Sequence, residues 1–451
     1  MSHYKPYPAY KDSGVKWIGE VPEHWEVKRL RHVASFKNSN VDKKAYDGQQ
    51  TVLLCNYTDV YYNEFITANL PFMQATASPA EVEQFSLKKG DVILTKDSED
   101  PSDIGIPSLV AEDMPGVVCG YHLAMIRDTD FDTARLLHRI LQSHPTQAHF
   151  FVEAPGITRY GLGQDAIGDL CFCLPPKNEH RWIADHIDRE TVRIDALIAK
   201  KTEFIKLLAK KRQALITHAV TKGLNPKAKM KDSGVEWIGD VPAHWAIGRL
   251  RSFCAVISTG PFGTALGVSD YVEDGIPVIN PSHMSDGACV PDRTVTVTQR
   301  TAERLSFWTL HEGDLVAARR GELGRAAIVT SKEAGWICGT GSLRITPMPS
   351  MATSLYLYSV LQSGYARAWL DRESVGSTMP NLNETLIGLL PVVIPPSLTE
   401  QVALLAKLDQ LEKRVAQLIS KTQHSIDLLK KRRSALITAA VTGQIDLRES
   451  V

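Results

Sequence analysis

The chain has 451 residues, too many for one ordinary domain and enough for two or three domains with separate hydrophobic cores. Its 43% hydrophobic and 23% charged residues predict a soluble globular protein, and no run approaches the roughly 18 uncharged apolar residues of a membrane span. Lys plus Arg and Asp plus Glu both number 51, so a polyanionic partner would have to meet a local basic patch. The first residues, MSHYKPYPAYKDSGVKW, form no apolar signal segment, which predicts a cytoplasmic protein.

The cysteines predict neither a disulfide framework nor a metal site. There are seven of them, an odd number scattered along the chain. Cys171 and Cys173 alternate in the apolar run LCFCLPP, so both would point to the same face of a strand. No second Cys/His cluster with metal-ligand spacing accompanies them. We therefore expect two buried thiols there and no bound metal.

An internal repeat is the clearest pattern in the chain. KDSGVKWIGEVPEHWEVKRLR at Lys11 matches KDSGVEWIGDVPAHWAIGRLR at Lys231. LPPKNEHRWIADHI near Leu174 corresponds to IPPSLTEQVALLAKL near Ile394. LLAKKRQALITHAVT and LLKKRRSALITAAVT form a third matched pair further along. Three blocks in the same order predict a tandem duplication with internal pseudo-two-fold symmetry.

The regions between the matched blocks, residues 35–155 and 255–375, share little except a frame. Each has a Gly-Asp turn followed by an apolar run, in LKKGDVILTK and LHEGDLVAARR. Short β-branched runs such as TVLLC and IPVIN alternate with turns and with helical stretches such as ARLLHRILQS and LYLYSVLQS. We predict a mixed α/β (α+β) domain in each half, whose strands support exposed loops. Similar scaffolds with different surfaces are expected where each meets a different target.

Each half is predicted to end in a long helix, over residues 179–221 and 400–442. Apolar residues recur there in steps of three, four or seven, which forms one stripe and suits a coiled-coil seam. The stripes comprise Ile183, Ile187, Ile194, Ile198, Ile205, Leu208 and Leu215, and then Leu404, Leu408, Leu411, Val415, Leu418, Ile426, Leu429 and Leu436. The alternative is that each helix packs only on its own domain. A two-fold between the halves would make the pair antiparallel and about 60–65 Å long.

These patterns predict a division of the chain into four segments. The first domain with an N-terminal arm covers residues 1–174, and the first long helix covers 175–224. The second domain covers residues 225–394, and the second helix with the C-terminal tail covers 395–451.

The usual catalytic motifs are absent from the sequence. It has no G-x-x-x-x-G-K-[ST], H-E-x-x-H or G-x-S-x-G, and no Asn/Asp-Pro-Pro-Tyr/Phe segment of amino-methyltransferases. GTGSLR at Gly339 opens no predicted helix after a strand, so it is not interpreted as a phosphate-binding loop. His24 and His244 share a P-x-H-W context that is more typical of a packed structural histidine than of a catalytic base. A binding or scaffolding role is therefore predicted.

Several motifs resemble those of the specificity (S) subunits of type I restriction–modification systems. They are W-I-G-x-V-P-x-H-W at Trp17 and Trp237, the pattern N-L-x-x-x-x-I-G-x-L-P-V-V-I-P-P-x-x-x-E-Q from Asn381, and K-K-R-x-A-L-I-T-x-A-V-T at both helix ends. The similarity extends over essentially the whole chain. The first half departs by having Gly161-Leu162 for Asn381-Leu382 and Glu179-His180 for Glu400-Gln401. This difference predicts that its approach to the long helix is built differently.

The resemblance implies a subunit without catalysis or cofactor of its own. Two methylation (M) subunits would join it to form an adenine-N6 methyltransferase that uses S-adenosylmethionine. Two restriction (R) subunits, with ATP and Mg²⁺, would complete the nuclease. Each domain would read one half of a split, asymmetric double-stranded DNA target, with the paired helices as spacer and docking surface for the M subunits. A duplicated non-catalytic adaptor that binds proteins is the main alternative.

Candidate DNA contacts follow from loop chemistry and from the family's loops. The densest basic loop outside the helices, AARRGELGRAA, offers arginines that read guanine or clamp phosphate. GPFGTAL resembles a loop motif frequent in the family's recognition domains. The candidates are Arg319, Arg320, Arg325, Asn280, Ser282, His283, Gly260, Phe262, Thr264, Ser377 and Thr378 in the second half, and Asn56, Tyr57, Thr58, Lys96, Ser98, Thr158, Arg159 and Tyr160 in the first. The basic helix clusters, 210–212 and 430–433, are either solvated flanks or contacts for a partner or the DNA backbone.

Overall fold

The structure is a computed structural model that describes residues 4–128, 130–374 and 381–448. It forms two compact units: unit 1 comprises Met1–Lys201 with His424–Val451, and unit 2 comprises Thr202–Gln423. Both boundaries lie inside long helices rather than at their ends. Among the helices of the described ranges, none is long and apolar enough to cross a membrane.

The first half of the chain alternates short strands with short helices before its long helix. The strands are β1 (Tyr10–Asp12), β2 (Glu20–Pro22), β3 (Glu26–Arg29), β4 (Ser35–Asn38), β5 (Gln50–Cys55), β6 (Phe65–Ile66), β7 (Met73–Ala77), β8 (Val92–Thr95), β9 (Asp97–Ser98), β10 (Pro107–Val110), β11 (Val117–Cys119), β12 (Leu123–Arg127), β13 (Tyr160–Gly161) and β14 (Cys171–Leu174). The helices are α1 (Tyr57–Tyr61), α2 (Pro79–Phe85), α3 (Phe131–Leu141), α4 (His144–Glu153), α5 (Gln164–Gly168) and α6 (Lys177–Lys222), with 3-10 turns at Leu30–His32 and Pro101–Asp103.

A five-stranded sheet of order β4-β12-β8-β10-β6 is the middle layer of unit 1. Successive side chains of a strand point to opposite faces, so a strand buried on both faces can be apolar throughout. Val92 and Leu94 of β8 join the core cluster that holds α3, whereas Ile93 joins the cluster of the three-stranded sheet β11-β5-β7. The predicted mixed α/β domain is therefore a layered structure, with β8 at its centre.

The second half of the chain also alternates short strands with short helices before its long helix. The strands are β15 (Met230–Asp232), β16 (Asp240–Pro242), β17 (Ala246–Arg249), β18 (Cys254–Thr259), β19 (Tyr271–Val272), β20 (Ile276–Ile279), β21 (Met284–Ser285), β22 (Ala288–Cys289), β23 (Thr296–Val297), β24 (Leu315–Ala318), β25 (Ala326–Ile328), β26 (Ile337–Cys338), β27 (Ser342–Pro347) and β28 (Pro391–Ile394). The helices are α7 (Gln299–Arg304), α8 (Ser354–Leu361), α9 (Gly364–Glu373), α10 (Glu384–Gly388) and α11 (Leu398–Val441), with 3-10 turns at Leu250–Phe253, Gly263–Ala265, Val268–Asp270, Pro281–His283 and Ser306–Trp308.

The sheets of unit 2 have the orders β18-β27-β24-β25 and β19-β23-β20-β26. Strand β24 is buried on both faces, like β8 of unit 1. Its Leu315 and Ala317 pack in the cluster that holds α8, and Val316 packs in a second cluster with Ile279. The apolar run after each Gly-Asp turn thus becomes the central strand of its own unit.

Each N-terminal arm is tied to the first turn of a long helix through a glutamate. In unit 1, Nε2 of His24 lies 2.9 Å from Glu179 Oε1, and the buried Trp25 indole donates to Oε2 of the same carboxylate at 3.3 Å. In unit 2, His244 and Trp245 make the same bonds to Glu400, at 3.0 and 2.9 Å. Both histidines are structural groups that hold an arm on a helix.

The approach to the long helix is built alike in both units, although the sequences differ. Gln401 donates to the Pro395 carbonyl at 3.0 Å and accepts from the Thr353 backbone N–H at 2.9 Å. In unit 1 the His180 ring spans the same gap, with Nε2 2.9 Å from the Pro175 carbonyl and Nδ1 2.9 Å from the Thr133 hydroxyl. Both units therefore tie the start of the helix to the preceding proline carbonyl, and they differ, as expected, in the second bond, which goes to a threonine hydroxyl in unit 1 and to a backbone N–H in unit 2.

The long helices agree with prediction to within two residues at each end. Helix α6 has 46 residues and α11 has 44. Leu418, predicted on the seam of α11, is 47% exposed, while the neighbouring Ile419 is partly buried. A heptad alternates steps of three and four, but the steps from Leu411 to Val415 and from Val415 to Ile419 are both of four residues, so the buried stripe departs from the heptad here.

The basic clusters on the helices have internal partners. In unit 1, Arg433 of α11 pairs with Asp195 of α6 at 3.0 Å and also with Glu64. In unit 2, Arg212 of α6 pairs with Glu412 of α11 at 2.7 Å. One arginine of each cluster therefore has an acidic partner on the other long helix, a contact that the sequence did not predict.

Candidate nucleic-acid interface

Backbone hydrogen bonds gather three loops of unit 1 at one end of its middle sheet. The N–H of Lys96, just after β8, donates to the His122 carbonyl at 3.1 Å, and the Leu162 N–H donates to the Lys96 carbonyl at 2.7 Å. Strand β9 then pairs with β13, with Tyr160 opposite Ser98. Residues that are distant in sequence thus form one loop surface.

Unit 2 has the same hydrogen bonds at corresponding positions. The Arg319 N–H, just after β24, donates to the Gly341 carbonyl at 2.9 Å, and the Leu382 N–H donates to the Arg319 carbonyl at 2.9 Å. Arg320 forms a β-bridge with Asn381. Arg319 stands in unit 2 where Lys96 stands in unit 1, so equivalent backbone positions carry different side chains.

Several predicted residues of unit 1 build the loop surface from within. Tyr57 stacks on Tyr61 with ring centroids 5.5 Å apart, and the Tyr61 hydroxyl donates to Asp103 at 2.8 Å. This bond raises the pKa of Tyr61 to about 12. Ser98, only 8% exposed, also donates to Asp103. Tyr57 and Ser98 therefore hold the loops in place from beneath the surface, and neither is a fully exposed contact residue.

Three residues that the sequence analysis missed lie beside the predicted ones. The Lys96 ammonium lies 4.6 Å from the centre of the Tyr121 ring. Next to it, His122 Nδ1 is 2.8 Å from Asp97 Oδ2 and 3.2 Å from Nη2 of the predicted Arg159. Tyr121 and His122 lie in the loop between β11 and β12, and Asp97 lies on β9. The position of these residues in the sequence could have indicated them. Asp97 lies between the candidates Lys96 and Ser98. Tyr121-His122 follows β11 at the same distance as Thr340-Gly341 follows β26.

The remaining candidates of unit 1 are at or near the surface. Asn56 caps α1, and its backbone N–H donates to Asp59 at 2.8 Å. Thr58 and Thr158 are exposed. The Tyr160 hydroxyl donates to the Ile157 carbonyl at 3.4 Å, within the same loop.

The arginines of the basic loop in unit 2 differ in what they contact. Arg319 Nε donates to Asn381 Oδ1 and to the Leu382 carbonyl, both at 3.0 Å, and burial lowers the pKa of Arg319. Arg325 is paired with Glu322 at 3.1 Å. Arg320 is exposed. Arg320 is therefore the arginine of this loop most available to an external ligand.

The strand-end candidates of unit 2 are partly internal. The Asn280 Oδ1 accepts from the Gly341 N–H at 3.2 Å. His283 is 8% exposed, with Nδ1 3.0 Å from the Val278 carbonyl, whereas Ser282 is exposed. His283 thus shapes the loop, and Ser282 faces outward.

Gly260 is required by packing. A Cβ at this position would lie 1.9 Å from the Gly339 carbonyl oxygen, so no larger residue fits without moving the backbone. The segment after Gly339 enters β27 rather than a helix, in agreement with the prediction that GTGSLR opens no helix. Phe262 and Thr264, further along the Gly260 loop, are exposed.

Ser377 and Thr378, predicted as contacts, lie outside the described residues.

Two further observations limit what the described surface can bind. Over the ranges 4–128, 130–374 and 381–448, no group of three or more His, Cys, Asp or Glu side chains could hold a metal ion. A cavity of about 690 Å³ in unit 2 is lined by Arg212, Arg325, Glu322 and Glu412, which pair with one another. These arginines are therefore balanced by acids and attract no anion strongly.

Comparisons with known proteins identify relatives of the chain. Residues 242–428 match the family model described as type I restriction modification DNA specificity domain. The type I restriction enzyme EcoBI specificity subunit of Escherichia coli is 20% identical over 303 residues, which cover 64% of this chain and 61% of the relative. The putative type I restriction enzyme MjaX specificity subunit of Methanocaldococcus jannaschii is 19% identical over 447 residues, 97% of this chain and 98% of the relative. The chain thus spans about three fifths of one relative and nearly all of the other.

Solved structures share the fold. A chain from a study of complex assembly and conformational transition of the type I R-M system has a TM-score of 0.69 at 18% identity, over 94% of this chain and 99% of that one. The HsdS subunit from Thermoanaerobacter tengcongensis has a TM-score of 0.51 at 18% identity, over 94% and 98%. The predicted resemblance is confirmed: the chain is similar to the specificity subunits of type I restriction–modification systems, and residues 242–428 match the model of their DNA specificity domain.

Proposed function

We propose that the chain is the non-catalytic DNA-specificity subunit of a type I restriction–modification complex. Each unit reads one half of a bipartite, asymmetric double-stranded DNA target. The observation that carries this proposal is the shared backbone frame with different side chains, Lys96 and His122 in unit 1 against Arg319 and Gly341 in unit 2. Bases are distinguished by hydrogen-bonding side chains at the groove edges, so unlike side chains on one frame read unlike half-targets.

We infer that the frame arose by the pseudo-two-fold duplication. The arms support this, because Lys11 pairs with Val21 in unit 1 as Lys231 pairs with Val241 in unit 2. The strands next to the long helices support it as well, since β14 pairs with β3 and β28 with β17, both antiparallel. A duplicated frame provides two reading surfaces on one chain.

An antiparallel coiled coil of α6 and α11 would set the distance between the half-targets. In unit 2, Arg212 contacts Glu412, and Lys222 at the end of α6 lines one cavity with Glu400 in the first turn of α11. In unit 1, Gly443 packs on Trp25, which bonds to the first turn of α6. At 1.5 Å per residue the 46 residues of α6 correspond to a helix about 69 Å long.

The helices would also dock two M subunits, and two R subunits would complete the complex. Large apolar side chains off the seam are exposed on both helices, and a docked subunit would cover them. Leu197 and Leu428 in unit 1 are 42% and 52% exposed, and Leu207 in unit 2 is 53% exposed. S-adenosylmethionine, ATP and Mg²⁺ belong to the partner subunits in this proposal.

The test is to co-express the chain with an M subunit, sought among the reading frames next to its gene, and to map N6-methyladenine by sequencing. A split motif is expected. Replacing residues 35–155 by the corresponding block of the Methanocaldococcus relative should change one half of the motif and leave the other intact. Absence of any split motif would refute the function and favour the protein-binding adaptor. An unchanged motif after the exchange would show that unit 1 is no reader.

A further inference from the structure

Three loops of unit 1 bring an acid, an imidazole and a guanidinium together. Asp97 lies on β9, His122 precedes β12, and Arg159 precedes β13. His122 Nδ1 is 2.8 Å from Asp97 Oδ2 and 3.2 Å from Arg159 Nη2. The His122 and Asp97 side chains are 26% and 24% exposed, and Arg159 is exposed. The cluster is therefore ordered by its own contacts and still open to a ligand.

The direction of Asp97 is set by the short sheet that it belongs to. Neighbouring residues of a strand point to opposite faces. Ser98 points inward and bonds to Asp103, so Asp97 points to the other face. There a Cβ at Gly161, its cross-strand neighbour, would lie 3.3 Å from Asp97 Oδ1. The carboxylate is thus held over a residue that has no side chain to cover it.

The His122 nitrogen faces a donor and an acceptor at once. Nδ1 of a neutral imidazole either carries the hydrogen and donates to Asp97, or carries the lone pair and accepts from Arg159. In the first arrangement Arg159 is released, and in the second Asp97 is released. Either arrangement frees one of the two groups, and the other keeps atoms that do not face His122, namely Oδ1 of Asp97 or Nε and Nη1 of Arg159, so both side chains can reach an external partner.

We propose that Asp97 and Arg159, held by His122, read a C·G base pair in the half-target of unit 1, an inference that rests on the proposed function. In the major groove this pair presents the cytosine N4 amino donor beside the guanine O6 and N7 acceptors. A carboxylate accepts from the amino group, and a guanidinium donates to O6 and N7. A phosphate grip is disfavoured, because the Asp97 carboxylate would repel a phosphate placed on Arg159.

The test selects ligands for the full-length chain from a pool of duplexes with about 40 randomised base pairs, enough for half-sites one or two turns apart. Asp97→Asn should change the preferred base at one position of one half-motif from cytosine to adenine, since asparagine pairs with adenine N6 and N7. Binding of the original motif should fall about 5- to 150-fold. Arg159→Gln should weaken the preference for a particular base pair at the same position of the motif. The matched control is Asp100→Asn, which makes the same charge change on the exposed cap of the neighbouring 3-10 turn.

Two results would overturn the inference: an unchanged base preference for Asp97→Asn and Arg159→Gln, or an equal loss of affinity for every duplex. Thermal melting shows whether each variant folds. Because Arg159 is exposed, Arg159→Gln tests the base preference even where Asp97→Asn does not fold. A wild-type chain that selects no split motif would instead refute the proposed function, and this outcome is recognised before any substitution is made.

Discussion

Arg139 offers a test of how unit 1 is held on its long helix. Its side chain is 2% exposed on α3 and pairs with Glu64 and, at 2.6 Å, with Asp188 of α6. Arg139→Met fills a similar volume and removes the charge. Breaking a buried ion pair by removing one partner costs about 3–5 kcal/mol, since the remaining charge loses its compensation.

The surroundings place the effect at the lower end of that range. Glu64 keeps its pair with Arg433, and Asp188 keeps its pair with Arg135. Both carboxylates are about one quarter exposed, which lets water replace part of the lost interaction. We therefore expect Arg139→Met to lower the free energy of unfolding of unit 1 by about 3 kcal/mol. For a unit of this size this corresponds to a melting temperature lower by roughly 6–12 °C.

The assay is denaturant and thermal unfolding of the full chain at low and high salt. Arg325→Met in unit 2 is the control, because its pair with Glu322 is largely exposed and should contribute at most about 1 kcal/mol. The loss at Arg139 should persist at high salt, whereas an exposed pair is screened. A loss below about 1 kcal/mol, or one that disappears with salt, would refute the argument from burial.

Other predictions concern pH, packing and the approach to α6. Burial lowers the pKa of His138 well below 6.5, so His138 stays neutral in the folded chain while the unfolded chain takes up a proton as the pH falls. The free energy of unfolding of unit 1 should therefore drop by about 1.4 kcal/mol between pH 7.5 and 5.5. His138→Gln should flatten the plot of melting temperature against pH over this range. Gly260→Ala should destabilise unit 2 by about 1–3 kcal/mol through overlap with Gly339, while Gly267→Ala, 3.8 Å from its nearest neighbour, should be nearly neutral in the same melts. His180→Gln should retain stability within about 1 kcal/mol and His180→Ala should lose about 1–3 kcal/mol; equal losses would contradict the equivalence with the amide of unit 2.

Features that depend on local spacing could be predicted from the sequence. The bounds of α6 and α11 follow from apolar periodicity and from the prolines that precede them, and both agree with the structure. The Gly-Asp turns and their apolar runs predicted β8 and β24, because a short apolar run between turns is consistent with a strand buried on both faces. The resemblance to specificity subunits likewise rested on contiguous motifs.

Features that depend on contacts between distant residues could not. Asp97, His122 and Arg159 come from three loops, and only strand pairing brings their side chains within hydrogen-bond distance. The same limit explains Arg433, which looks like a solvated lysine-arginine flank in sequence and pairs with two acids in unit 1.

Polar character alone does not say which side of a loop a residue occupies. His283 and Ser282 were equal candidates, yet one ring is turned onto the Val278 carbonyl and the other side chain is exposed. The sequence by itself determined the repeated frame, the two long helices and the places where loops emerge, because these depend on short-range periodicity and turn chemistry. The tertiary structure decided which loop side chains meet and which remain open to a ligand, because that depends on sheet register and burial across the whole unit.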